Sequence, residues 1–241
     1  MDPLDRSSDN VLNRYTTRWF EGESLVNRIG RTLCLAECVS RKEFFESWET
    51  AKRLRRQMRG GTILELAAGH GLLSAMLLLL DDTSPSATLV DTSMPPSFAK
   101  IYAVLRERWP QLSGRLNYVE GPLEEAVADS HSLVVSIHAC GTLTDRVLDM
   151  AISAGCRVGV VPCCHDYKRC DTGGLTNWME GSLAIDAMRV ARLRHQGFRV
   201  AALNIPRDIT PKNHLLLAWP EPKGPVDEEP PCQAETTVEP L

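Results

Sequence analysis

The chain has 241 residues, of which 43% are hydrophobic and 24% charged, with a formal net charge of −4. That length buries a full core in one domain of α/β size, and the composition is that of an ordinary globular protein. The acidity is local: six acids against one base follow residue 220, leaving 26 bases and 25 acids in residues 1–220. A neutral body argues neither for nor against nucleic acid, and no DNA partner is expected.

The longest apolar run, Leu72 to Leu80, is too short to span a bilayer and ends in Asp81-Asp82, so no membrane partner is expected. The N-terminus lacks the basic flank and apolar stretch of a signal peptide. The eight cysteines include the adjacent pair Cys163-Cys164, which suits no common disulfide framework. Reduced thiols and a cytoplasmic location are the expectation.

In chain order, residues 1–12 read as a flexible N-terminus and 13–58 as a helical cap. One helical segment runs from about Glu23 to Cys38. Ser40 caps a second, with Phe44, Phe45, Trp48 and Leu54 at near-helical spacing, and Gly60-Gly61 ends it. Strands and helices then alternate. TILELA, SATLVDTS, LNYVEG, SLVVSIHACG and RVGVVPCC read as strands. LLSAMLLLL and residues 97–109, 143–155 and 180–196 read as helices. FRVAALNIP and NHLLLAWP have no helix between them and should pair as an antiparallel hairpin at a sheet edge. This order predicts an α/β fold with a mostly parallel sheet covered on both faces. The folded domain spans 13–220, and the Pro- and Glu-rich acidic tail 221–241 should be disordered.

ILELAAGHGLLS is the most informative short stretch. A strand carrying Glu65 runs into a small-residue turn that opens a helix, and such turns let backbone approach a ligand closely. Asp91 closes the next strand, where a carboxylate can accept both ribose hydroxyls of an adenosine. The turn does not match the dinucleotide pattern GxGxxG, and Glu65 would repel a phosphate. An acid there suits a ligand with an amine and no phosphates, such as S-adenosylmethionine.

The element order and ELAAGHG resemble a class I S-adenosylmethionine-dependent methyltransferase, with its Rossmann-like, seven-stranded sheet and antiparallel C-terminal edge. The resemblance covers about residues 58–220. The family's acid-x-Gly-x-Gly-x-Gly motif maps onto Glu65, Ala67, Gly69 and Gly71, with Ala67 in place of a glycine. It implies that these residues bind the cofactor, that Asp91 holds the ribose and that Glu120 flanks the adenine. It places His138 near the methyl group.

HACGTLTD and PCCH resemble a methyltransferase-like subgroup that includes the 2'-O-methyltransferases of the tRNA acceptor stem. His138, Cys140, Gly141, Thr144 and Asp145 match its HxCGxxTD stretch; Cys163, Cys164 and His165 match its CCH stretch. Both stretches fall at carboxyl ends of strands, where open α/β sheets bind ligands. His138, His165, Cys140 and Cys163 are therefore the candidate catalytic residues, with a histidine serving as base toward a hydroxyl acceptor. The expected acceptor is tRNA or another RNA, or a small molecule.

No CxxC is present and the Cys163-Cys164 adjacency is awkward for a closed four-ligand site, so no metal is assigned. Alternation along a strand would also send Cys163 and Cys164 to opposite faces. Two other readings stay open: a non-catalytic interaction protein on the same fold, and a metal-binding protein using the Cys/His cluster. Seven bases between Arg41 and Arg59 read first as the solvated face of a capping helix and second as phosphate contacts. The polar loop from Asp166 to Ser182, with Trp178, is a candidate substrate lid.

Overall fold

A computed structural model of the chain describes residues 4–137 and 139–222. The tail from 223 onward and His138 therefore lie outside the described residues.

Short apolar runs form β1 (Ile63–Leu66), β2 (Ala87–Asp91), β3 (Leu116–Glu120), β4 (Leu133–Ser136) and β5 (Arg157–Val160). Two longer strands, β6 (Phe198–Asn204) and β7 (His214–Pro220), follow. They make one seven-stranded sheet in the order β3-β2-β1-β4-β5-β7-β6. Neighbours among β1 to β5 are parallel, and β7 runs antiparallel between β5 and β6. The α/β class and the antiparallel hairpin at the edge are as expected from the sequence.

The side-chain alternation of the strands divides the core in two. Ile63, Leu89 and Val135 face a core shared with α1 (Leu25–Leu33), α2 (Arg41–Gln57), α3 (Leu72–Leu80) and α4 (Pro96–Arg108). Leu64, Val90, Val134 and Val160 face the other, shared with α5 (Thr142–Ala154) and α6 (Gly181–His195). That second face has no α-helix between β3 and β4. The connection is a loop with a single 3-10 turn, Leu123–Glu125, and it leaves Val119 and Val127 exposed. Among the described residues no helix is long and apolar enough to cross a membrane.

Several boundaries differ from the sequence reading. α1 stops at Leu33 rather than near Cys38, because the chain must reverse into α2; Glu37 takes a positive φ of 48° in that reversal. β5 stops at Val160, so Pro162 to His165 are coil and not strand. Residues 8–12, expected to be flexible, are tied down: Leu12 is fully buried and its N–H donates to Val39 O at 2.8 Å. Ser40 caps α2 as the sequence suggested, and Glu43 completes a reciprocal cap.

Part of the basic stretch is taken up within the fold. Lys52 and Arg53 pair with Glu49. Arg55 is buried against Asp81 at 3.2 Å and also donates to Ser84 Oγ at 2.8 Å. The Arg55–Asp81 pair ties the end of α2 to the end of α3, and so sets how the cap sits on β1. Removing one member of such a pair strands the other charge in the core. Asp81→Ala should therefore lower stability by about 3 kcal/mol, read as a lower urea midpoint at unchanged m-value.

Candidate active site

The turn after β1 is held in a strained shape by its neighbours. Ala67, Gly69 and Gly71 all take positive φ, at 52°, 52° and 69°. Gly71 must be glycine, because a Cβ there would lie 2.0 Å from a Leu89 methyl. Over Gly69 nothing lies within 4 Å of where a Cβ would be, so the turn presents bare backbone to open space. Ala67 adopts a left-handed conformation that costs an alanine about 1–2 kcal/mol.

Asp91 fixes the turn from the next strand. One carboxylate oxygen accepts the Gly69 N–H at 2.8 Å and the other the Thr92 N–H at 2.7 Å. The Thr92 hydroxyl also donates to the second oxygen at 3.3 Å, so the oxygen facing Gly69 is the one that keeps a lone pair for a further donor. Asp91 is directly beside Glu120 in the β2–β3 register, and Glu120 accepts the Met94 N–H at 2.6 Å. Two carboxylates side by side favour a ligand rich in hydroxyl and N–H donors and disfavour a phosphate. The Tyr118 hydroxyl donates to Gly69 O at 2.8 Å. Burial first, then Asp91, Glu65 and Glu120, push it up to about 12, so it remains a donor.

Glu65 does not stand in this crevice. It shares the face of Ile63, is only 4% exposed, and accepts the Ser74 N–H of α3 at 2.9 Å. Burial raises its carboxyl to about 7. His70, inside the turn, lies 3.4 Å from Glu43 of the α2 cap. Glu43 is held down to about 2, first by His70 and against the opposing effect of burial. The cap helix is thus fastened to the turn itself. The open backbone at Gly69 and the paired acids at Asp91 and Glu120 fit S-adenosylmethionine. Residues 67–71 would take its amino-acid part, Asp91 its ribose and Glu120 its adenine edge.

The second group lies beyond β4 and β5. The Gly141 N–H donates to Cys164 O at 2.8 Å and joins the two coils. The sulfurs of Cys140, Cys163 and Cys164 all lie within 4.8 Å of one another, with Cys140 and Cys163 3.0 Å apart. The expectation that Cys163 and Cys164 face opposite ways fails because they are not in strand conformation. Burial raises the Cys140 and Cys163 thiols, whereas a hydrogen bond from Lys212 lowers Cys164.

His165 turns away from the sulfurs. Its Nε2 is 2.9 Å from Asp186 Oδ1, and His214 Nδ1 is 2.9 Å from Asp186 Oδ2. Arg189 bridges Asp186 and Asp145, and donates to Gly141 O at 3.0 Å. Burial works to raise Asp186, but the two histidines and Arg189 outweigh it and hold the carboxyl below its usual range. Cys163, Cys164 and His165 line a cavity of about 610 Å³, together with Tyr167, Glu180, Arg207, Lys212 and His214.

The structure therefore gathers Ala67, Gly69, Gly71, Asp91 and Glu120 at one part of the sheet's carboxyl edge. It gathers Cys140, Cys163 and His165 at another. Asp186, Arg189, Lys212, His214 and the His70–Glu43 pair were not singled out from the sequence. Asp186 and Arg189 did leave a signal: both sit on the stripe of α6 that also carries Ile185 and Leu193, and a charge on an apolar stripe needs a partner.

A family model described as a methyltransferase domain matches residues 42–169. Among solved structures, the fold is similar to that of the mitomycin 7-O-methyltransferase MmcR, with a TM-score of 0.50 and 16% identity. That match covers 86% of this chain and 60% of that one, so the chain spans less than two thirds of its length. Similarity also extends to the magnesium protoporphyrin IX methyltransferase ChlM from Synechocystis PCC 6803 with bound SAH. There the TM-score is 0.44 and the identity 12%, over 85% of this chain and 92% of that one. No curated protein matches the chain.

Two stability measurements probe the turn. Ala67→Gly should raise the melting temperature, with a gain of up to about 1 kcal/mol, by relieving the left-handed alanine. Ala68→Gly, one residue on and without a positive φ, should lower it. Glu65 sets a pH dependence. Its folded value, about 7, lies above the ordinary 4.5, so the native state holds this proton more tightly than the unfolded chain. The ligand-free protein should lose roughly 3 kcal/mol between about pH 4.5 and 7. Glu65→Gln should flatten that part of the curve in urea titrations at stepped pH.

Proposed function

The chain belongs to the methyltransferase domain family, and from that premise we propose that it transfers a methyl group from S-adenosylmethionine to a hydroxyl of RNA. The observation that carries the cofactor reading is the open backbone at Gly69 flanked by Asp91 and Glu120. S-adenosylmethionine supplies an already activated methyl group when bound, so the protein's part is alignment and proton handling. Adjacent carboxylates would repel the pyrophosphate of a dinucleotide.

His165 is the base in this reading. Asp186 takes its Nε2 and leaves Nδ1 as the nitrogen free to accept a proton from an acceptor hydroxyl. Its side chain is only 9% exposed, so the acceptor has to enter the cavity rather than touch it from outside. Arg207 and Lys212 line that cavity, and their charges would favour a phosphate-bearing acceptor. Tyr167 and Trp178 are exposed on the loop after β5, with Lys168 and Arg169 next to Tyr167 in the chain. Exposed aromatics among cations suit stacking on unpaired bases. The resemblance of HACGTLTD and PCCH to tRNA-modifying enzymes makes tRNA the first acceptor to test.

Calorimetry with S-adenosylhomocysteine should give a roughly micromolar Kd that Asp91→Ala removes, with NAD showing no heat. Absence of S-adenosylhomocysteine binding by folded protein would leave the fold with a non-catalytic role. Labelled methyl groups should then pass to tRNA, with His165→Asn lowering kcat on the order of 10²-fold. Label appearing only in protein or small molecules would overturn the RNA acceptor.

A further inference from the structure

We propose that Cys140, Cys163 and Cys164 form a binding site for a thiophilic divalent metal ion, zinc being the one the ligand set suits best. The parallel pairing of β4 and β5 builds it. Ser136 and Val160 are register partners at the ends of those strands. Cys140 and Cys164 each stand four residues further on. The bond from Gly141 N–H to Cys164 O locks the two coils together and carries the sulfurs to one point.

The sulfur separations suit a metal. Tetrahedral zinc with Zn–S bonds of about 2.3 Å has its sulfurs roughly 3.8 Å apart. The three sulfurs here all lie within 4.8 Å of one another, close enough to reach one ion, and the Cys140–Cys163 pair at 3.0 Å would open slightly to take it. A divalent ion with three thiolates carries a net charge of −1, and a cation stands ready to balance it. Lys212 Nζ lies 3.3 Å from Cys164 Sγ.

The site is open on one side. Cys140 and Cys164 are exposed, and Cys163 and Cys164 line the 610 Å³ cavity. Among the described residues no fourth Cys, His, Asp or Glu joins the three sulfurs. His165, next in sequence, is held by Asp186. The exposure of Cys140 and Cys164 leaves this site reachable by water or by a small molecule in the cavity. Soft thiolates select zinc over magnesium or calcium, which prefer oxygen.

The site stands independently of the methyl-transfer reading, and the test has no activity readout. Full-length protein purified under reducing conditions from zinc-supplemented cells should carry about one zinc per chain by atomic emission. Cys140→Ser, Cys163→Ser and Cys164→Ser should each lose most of it, while Cys38→Ser, in the loop before α2, keeps it. Because a serine variant could fail to fold, chelator-stripped wild-type protein is also titrated with cobalt(II). Thiolate-to-cobalt charge-transfer absorption with intense visible bands is the expected result. Overturning results are a metal-free wild type that gives no such absorption, metal retained by folded Cys163→Ser, or a Cys140–Cys163 disulfide in protein alkylated at lysis.

Discussion

Asp186 is the buried carboxylate on which the arrangement of the carboxyl edge depends. It sits on α6 and receives His165 from the coil after β5, His214 from the start of β7 and Arg189 from its own helix. Through Arg189 it also reaches Asp145 at the start of α5. Burying an isolated carboxylate costs several kcal/mol, and here three cationic or polar partners offset that cost. Elements that also share the apolar core of this face are thereby held in one relative position at its carboxyl edge. An apolar side chain in its place would fill the volume but would leave Arg189 and both histidines without a common acceptor.

The first half of the crevice obeys a different logic. There the backbone, and not a charged side chain, makes the surface. Gly71 lets β2 approach, Gly69 leaves space above the turn, and Ala67 follows the same left-handed path at a cost that glycine would avoid. Asp91 and Tyr118 hold the turn by its N–H and its carbonyl. The α2 cap adds Glu43 against His70. The helical N-terminal segment is therefore part of the crevice wall as well as a cover for the sheet.

Much of this was legible in the sequence because it rests on local rules. Short apolar runs alternating with helical spacing gave the strands in order, and the missing helix after FRVAALNIP marked the antiparallel edge. Ser40 announced the start of α2. What stayed hidden depends on contacts between distant segments. Glu65 looked like a ligand group because it precedes the turn, but strand alternation aims it at Ser74 on the other side. Lys212 and His214 are unremarkable in a polar turn until β7 inserts beside β5. The basic run on α2 read first as a solvated face, yet Lys52, Arg53 and Arg55 all meet acids within the fold.

The end of β5 shows most clearly why a motif reading stops short. Had RVGVVPCCH been strand throughout, alternation would have put Cys163 and His165 on one face and Cys164 on the other. Pro162 brings no N–H to a ladder, and the strand ends at Val160. Free of the pleat, three consecutive side chains divide differently. Cys163 and Cys164 converge on Cys140, while His165 turns to Asp186. Two distinct chemistries, a soft-ligand cluster and an oriented imidazole, thus border the same cavity from adjacent positions. Such crowding is available where a strand stops at the carboxyl edge of a parallel sheet, and unavailable within its regular interior.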